Sequence, residues 1–502
     1  MHKILQTTGL LLLFLTAACF AQHRGDRFFY QGVDMSNDEG TRSLAMGGAY
    51  SAVTGDVNAI FYNPAGLADI KTISLTYYGD RSFKLWREAQ QYRPTTWLGS
   101  LSLYLEGLIT PLHNEKYDDV DSLYDFNIYR DSNYVVNNPK MGKDPFSKEA
   151  ADWQRSRTAY KPFNLALAIP LHDYVPGLVL GLSFNQNKVL DFDRNDTYLT
   201  PHPGYTFYNP LVQANGFTVV DMMWYRYNRV REGTLSTLRF AASYQVNENV
   251  QVGIGAKYVT GKTDDNLGLN EYGFIHIATQ NKFYFKHESN VDSTFGTSNY
   301  KSLTATFGLI LSYSKFNLGL NINLPYTFTR DWNYTRAQYV AVDVDSFKMT
   351  SSAGSDKLKM PVSYTLGINY QAGKKVTMAA DIEVIPYGNA NYDLAQPDTF
   401  FQGWVNQTIL RVGLEYRPFK MLSLSVGYRN IPTSYVPDGA AIHDKGSVAN
   451  SYTVGAGLNL SVGRIDFVYE FRSLKYYDSY YSNTNYDTEL SDRFTLGYTY
   501  NF

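Results

Sequence analysis

The sequence predicts an all-β transmembrane barrel of about fourteen antiparallel strands. Three observations carry that reading. Segments of about ten residues alternate apolar with polar or small side chains along most of the chain, the period of a strand whose two faces meet different surroundings. Short connections alternate with long polar stretches, the asymmetry of an outer-membrane barrel. The chain also ends on such a run: Phe494, Leu496, Tyr498, Tyr500 and Phe502 interleave with Arg493, Thr495, Gly497, Thr499 and Asn501.

Residues 1–21 read as a secretory signal peptide, with His2 and Lys3 as a short basic end, Leu10 to Leu15 as the apolar core and Cys19-Phe20-Ala21 at the cleavage site. Cleavage after Ala21 would remove Cys19, the single cysteine, so the mature chain would form no internal disulfide. The alternative reading makes Cys19 the modified residue of a lipoprotein. Beyond the leader no run approaches the ~18 apolar residues of a helical span, so membrane crossing falls to strands.

Residues 22–70 are expected to form a compact plug, or hatch, in the lumen. Small residues dominate 40–69 and alternation is weak. Gly47-Gly48 and Gly55-Asp56 supply turns, and Asn63-Pro64 stops a short piece over Val57 to Tyr62.

Residues 71–502 form the barrel. Its hairpins turn within Pro170 to Pro176, at Asn247-Glu248-Asn249, near Ser314-Lys315, near Gly373-Lys374, at Pro418-Phe419 and around Ser461 to Gly463, lengths suited to adjacent antiparallel strands. Spanning strands are expected to start near 96, 162, 177, 235, 250, 301, 316, 359, 374, 406, 420, 450, 463 and 491, with Thr72 to Tyr78 as a further candidate that leaves the total between 14 and 16. The polar stretches 106–161, 191–234, 262–300, 330–358, 387–405, 431–449 and 476–490 read as long extracellular loops. Val219 to Tyr227 and Phe283 to Lys286 are strand-like, so some hairpins should continue beyond the membrane.

The parity opposite to the apolar one must face the lumen. It carries Asp381, Glu383, Arg411, Glu415, Arg417, Arg464, Asp466, Glu470 and Arg472, charges that are costly against hydrocarbon and tolerable inside. Mixed signs suit a lattice bracing wall and plug. Gly253, Gly255, Gly308, Gly319, Gly367, Gly413, Gly427, Gly455 and Gly457 mostly share that parity and leave room for something packed against the wall. A formal net charge of −2 offers nothing to nucleic acid. There is no catalytic signature, no cysteine metal framework and no implied cofactor, and the eight His residues are dispersed. Carboxylates at 118, 119 and 121, or at 191, 193 and 196, read as solvated loops rather than Ca²⁺ ligands.

Arg42 to Ala52, Asp56, and then Ala59-Ile60-Phe61-Tyr62-Asn63-Pro64-Ala65-Gly66-Leu67-Ala68 resemble the N-terminal signature of the FadL/OmpP1/TodX family of outer-membrane hydrophobic-compound transporters. Gly47, Gly48, Asn63, Pro64, Ala65 and Gly66 carry the plug motif. The resemblance implies a fourteen-strand barrel in outer-membrane lipid with a lumenal hatch and uptake of long-chain fatty acids or other hydrophobic small molecules. It assigns no ligand-binding residue; Trp153, Phe207, Trp224, Trp332 and Phe401 are candidates for lining the way in. The rival reading keeps the barrel but makes it a component of a secretion or surface-attachment system, with periplasmic or secreted protein partners.

Overall fold

The computed structural model describes residues 30, 32–33, 39–90, 142–199, 220–278, 282–286, 290–340, 346–396, 404–434, 447–480 and 483–502. Its strands are β1 (Ser74–Gln90), β2 (Trp153–Pro170), β3 (Leu178–Leu199), β4 (Val220–Asn247), β5 (Val250–Ala278), β6 (Lys282–Lys286), β7 (Asn290–Tyr313), β8 (Phe316–Asn323) and β9 (Tyr326–Val340). There follow β10 (Ser346–Met360), β11 (Ser363–Ala372), β12 (Val376–Ile385), β13 (Asn391–Asp393), β14 (Gln407–Phe419), β15 (Leu422–Pro432), β16 (Val448–Leu460), β17 (Gly463–Tyr480) and β18 (Asn483–Asn501). β8 with β9, and β10 with β11, each make one broken stave, while β6 and β13 are short additions. The result is a closed antiparallel barrel of 14 strands. Closure runs through β1, which pairs with β2 on one edge and with β18 on the other, Ser74 opposite Asn501.

The outside carries the apolar parity. Leu303, Phe307 and Leu311 on β7, Leu410 and Val412 on β14, and Phe467 and Leu496 on β17 and β18 are exposed, as a lipid-facing belt requires. Tyr313, Phe316, Phe419 and Phe502 stand exposed at the short-turn end, where aromatic rings suit the membrane interface. The protein is an outer-membrane β-barrel.

Two expectations are corrected. The first stave is β1, which takes in Ser74 to Tyr78 of the candidate segment Thr72 to Tyr78 and runs on to Gln90; residues 96–105 lie outside the described residues, and β1 pairs directly with both β2 and β18. Much of the stretches read as loops is strand. β4 and β5 run for 28 and 29 residues, far beyond the ~10 that cross a membrane, and β9 and β10 occupy most of 330–358. Above the lipid the outer face meets water, so apolar alternation fades while the backbone ladder continues. The strand-like pieces near 219–227 and 283–286 belong to β4 and β6.

Three neighbouring staves break at prolines: Pro325 between β8 and β9, Pro361 between β11 and β10, and Pro386 after β12. Proline cannot donate to the ladder. Each of the first two breaks adds one residue, so the inward set passes from Asn321 and Asn323 to Tyr326 and Phe328, and from Thr365 and Ser363 to Met360 and Leu358.

Candidate functional site: the barrel lumen

The lumen is occupied by residues 40–70 of the same chain, nearly all buried. The segment is built from a single helical turn, α1 (Arg42–Ala45), and two 3₁₀ turns, Val57–Phe61 and Pro64–Leu67. Asp56 caps the first 3₁₀ turn by accepting from the Asn58 amide at 2.8 Å. Asn63 caps the second by accepting from the Ala65 amide at 3.0 Å, while Pro64 supplies a first helical residue that needs no N–H partner. Asn63 also reaches the wall: its Nδ2 donates to Ser51 O at 2.7 Å and to Leu309 O and Leu320 O at 3.3 Å. One side chain thus closes the local turn and ties it to β7 and β8.

Inward glycines make this fit possible. A Cβ on Gly253 would strike Ala65 and Pro64, on Gly308 Asn63, on Gly319 the Ser51 carbonyl, on Gly413 Met46, and on Gly427 Gly47. Gly47 and Gly48 themselves have φ of 64° and 75°, a region costly for residues with a Cβ. The backbone of the segment therefore lies directly on the backbone of the wall. Ser243 Oγ adds a bond to Ala65 O at 3.0 Å.

Charge holds the segment from the other side. Arg42 Nε donates to Glu415 at 2.8 Å and its Nη1 to Asp56 at 2.9 Å. Arg464 pairs with Asp466 at 2.7 Å, and Arg417 with Glu415 at 2.7 Å. Asp381 accepts from the amides of Tyr50 and Ser51, both at 2.9 Å, and from Ser51 Oγ at 2.7 Å. Glu383 pairs with Arg411, and Glu470 with Arg429. Each of these charges has a partner, as burial demands. Burial pushes the Asp56 carboxyl upward, but Arg42 and two hydrogen bonds from Asn58 outweigh it and hold the group below the usual carboxylate range.

Away from the segment, inward side chains turn apolar. Val189, Leu235, Val259, Tyr300, Phe328, Leu358, Met360, Ile385, Ile409, Ile431, Ala449 and Leu474, drawn from β3–β5, β7, β9, β10, β12 and β14–β17, form one buried cluster. Tyr30 and Val33, from the N-terminal part of the chain, fill it. The Tyr30 ring sits 5.5 Å from Phe328 and 6.0 Å from Trp404, and its hydroxyl donates to Phe328 O at 3.0 Å. Between this ring and the lumenal segment lies a cavity of about 60 Å³ bordered by Phe61, Pro64, Arg239, Lys257, Asn321 and Glu383. Still nearer the tall end, Arg231 pairs with Asp265 at 2.8 Å and Arg330 with Asp356 at 2.6 Å, all four buried.

The sequence-selected charges Asp381, Glu383, Arg411, Glu415, Arg464, Asp466 and Glu470 stand inside, in contact with the lumenal segment or with one another; Arg472 is half-buried on β17. Gly47, Gly48, Asn63, Pro64, Ala65 and Gly66 all lie against the wall or within the segment. Among the candidate aromatics, Trp332 is stacked on Tyr334 inside β9 and Trp153 packs on Phe192; Phe207 and Phe401 lie outside the described residues. Sequence reading missed the apolar ring and the Arg429, Arg231 and Arg330 pairs. Arg429 was legible, since it shares parity with Ser423, Ser425 and Gly427. On β9 and β10 the ring was hidden by the one-residue shifts at Pro325 and Pro361, and on the other strands by inward side chains as apolar as the outward ones.

A family model described as BamG matches residues 217–492, more than half of the chain. The chain belongs to the BamG family. A search of curated proteins found no match. Among solved structures, this BamG-family chain is similar to a Pseudomonas aeruginosa FadL homologue, at 15% identity and a TM-score of 0.57, covering 92% of this chain and 98% of that one. It is similar to the P. putida toluene transporter TodX at 13% identity and 0.55, covering 93% and 99%. It also resembles CymD, a monoaromatic hydrocarbon channel, at 13% identity and 0.51, covering 92% and 97%. The FadL-like architecture anticipated from the Asn63-Pro64-Ala65 region is the architecture of the BamG-family chain.

Proposed function

We propose that the protein is an outer-membrane channel for hydrophobic small compounds in which residues 40–70 act as the hatch. The apolar ring carries this reading. A water-filled lumen is lined by polar side chains, whereas here eleven strands aim apolar groups at one level and already hold the Tyr30 ring. An apolar guest exchanging with Tyr30 would gain roughly 25 cal/mol per Å² buried. The names of the structurally similar toluene and monoaromatic hydrocarbon transporters support compounds of that kind; fatty acids are the longer alternative. Departure would use movement of the hatch or the wall broken at Pro325, Pro361 and Pro386. The test is mass spectrometry of apolar molecules released from gently purified protein, with toluene and fatty-acid titrations of wild type and Tyr30→Ala. Tyr30→Ala should take up more ligand. Absence of any bound or binding apolar molecule in both forms would remove the transport reading.

A second reading, the barrel as a scaffold in a secretion or attachment assembly, is favoured by how fully the lumen is filled. The cavity of about 60 Å³ is well below the ~300 Å³ at which ligand pockets begin, and its border mixes polar with apolar groups. A stable stoichiometric complex with periplasmic or secreted proteins, without apolar ligand, would select this reading.

A further inference from the structure

On the outer face the exposed apolar belt ends at Leu303 on β7 and, on the two neighbouring staves, at Leu324 and Val362 in the breaks beside β9 and β10. Next comes a charged band that includes the Lys301–Asp331 pair at 3.1 Å and the Lys359–Asp393 pair at 3.8 Å, all exposed. Beyond it the same face turns apolar again. Register places Phe347, Tyr339 and Val291 in one row, Met349, Ala337 and Ser293 in the next, and Ser351, Thr335 and Phe295 in the third. Phe347 is 62% exposed, Met349 56%, Phe295 43% and Tyr339 42%. Phe295 is eight residues past Leu303, about 26 Å along the strand, so lipid does not cover this patch. The opposite face carries Arg336, Asp292, Gln338 and Lys348 and is polar.

The patch borders an open edge. β10 pairs with β9 along its whole length, but on its other side only Lys357 to Lys359 find a partner, in β13. Among the described residues no strand pairs with that edge from 346 to 356. Natural edges are blunted by Lys, Pro or bulges; this one has a single Lys348 and no Pro or register shift. The neighbouring connection 397–403 is too short to cover it. It is anchored by Ala395, whose amide donates to Asp356 at 2.9 Å, and by Trp404, whose amide donates to the Tyr392 hydroxyl at 2.8 Å. Seven residues going out and back climb about 12 Å, while the edge from Asp356 to Ser346 rises about 33 Å.

We propose that this edge receives an extended segment of a partner polypeptide at the cell surface, added to the sheet as a strand beside β10. A row of N–H and C=O groups with no strand partner among the described residues is satisfied along its length only by another extended backbone. The alternation of β10 sets the partner's pattern: apolar side chains toward Phe347 and Met349, and an acidic or polar one beside Lys348. This surface is independent of the lumen and of what the lumen carries.

Photo-crosslinking in intact cells tests it, with p-benzoylphenylalanine placed singly at 347, 348, 349 and 350 of the full chain. The expected result is one segment of one partner, its linked residues stepping along the sequence as the probe steps along β10. Tyr339→Asp should lower the yield at 349 about tenfold or more, the loss of one interface anchor, while heat-modifiable migration on gels confirms a folded barrel. Links to lipid, to residues 91–141 of the same chain, to many unrelated proteins, or to nothing would each overturn the proposal.

Discussion

Arg42 joins the lumenal segment to the wall through Glu415 and to itself through Asp56. Arg42→Ala leaves Glu415 with Arg417 and Arg464 but takes from Asp56 its guanidinium partner, so the loss should stay below the ~3–5 kcal/mol of a buried charge left with no partner. Arg42→Lys should fall between, since one ammonium cannot reproduce the two-pronged geometry. Denaturant unfolding of the detergent-solubilised barrel reads both. Asn63→Ala loses a cap and up to three carbonyl contacts and should cost about 1–3 kcal/mol. Acid reads Asp56. Its folded pKa is depressed, so its stabilisation is whole above the unfolded value of about 3.9 and drains away as pH falls through the lower folded value. Stability of wild type should therefore drop with acid below about pH 4, and Asp56→Asn should show a shallower drop there. An equal slope in the two proteins would mean that Asp56 contributes nothing to the pH dependence.

At the level of elements, the prolines between β8 and β9 and between β11 and β10 are the decisive devices. Removing Pro325 outright should shift β9 by one residue, turning Phe328, Arg330 and Trp332 outward and parting Arg330 from Asp356. We expect loss of heat-modifiable migration for this deletion and its retention for Pro325→Ala, which keeps the count. The same prolines explain what sequence could and could not reveal. Alternation was clear where lipid meets one face: β14 to β18 and the turns at 247–249, 314–315 and 461–463 follow directly from it. It failed above the membrane, where Thr327, Thr329 and Asp331 face water and no polarity contrast marks a strand. It failed also at the ring, where Val259 and Ile409 are apolar and inward. The charges on β12, β14 and β17 were legible because ionised groups tolerate only one side of a lipid-exposed wall, but parity cannot say which partner each meets. That Arg42 meets Glu415, 373 positions later, is knowledge that only the closed barrel provides.

For the molecule as a whole, circular dichroism of detergent-purified protein should be dominated by β-structure, and a mainly helical signal is incompatible with this fold. Deleting residues 41–68 should raise single-channel conductance in planar bilayers, because the segment rests on the backbone of β5, β7, β8, β14 and β15. An already high, unchanged conductance would mean that it does not obstruct the pore. The seam between β1 and β18 has a temporal consequence. Residues 40–70 leave the secretion pathway before any stave, yet they bond to residues on β12, β14 and β17. Such contacts are expensive in loop entropy until the intervening strands are paired. The barrel should therefore curl around its own N-terminal segment like a mould around a core, with the Ser74–Asn501 edge zipping last. A disulfide between cysteines at Tyr77 and Tyr498, formed in time-resolved folding into detergent, should appear after burial of the lumenal segment against protease; the reverse order would mean that the segment is threaded into a ring already shut.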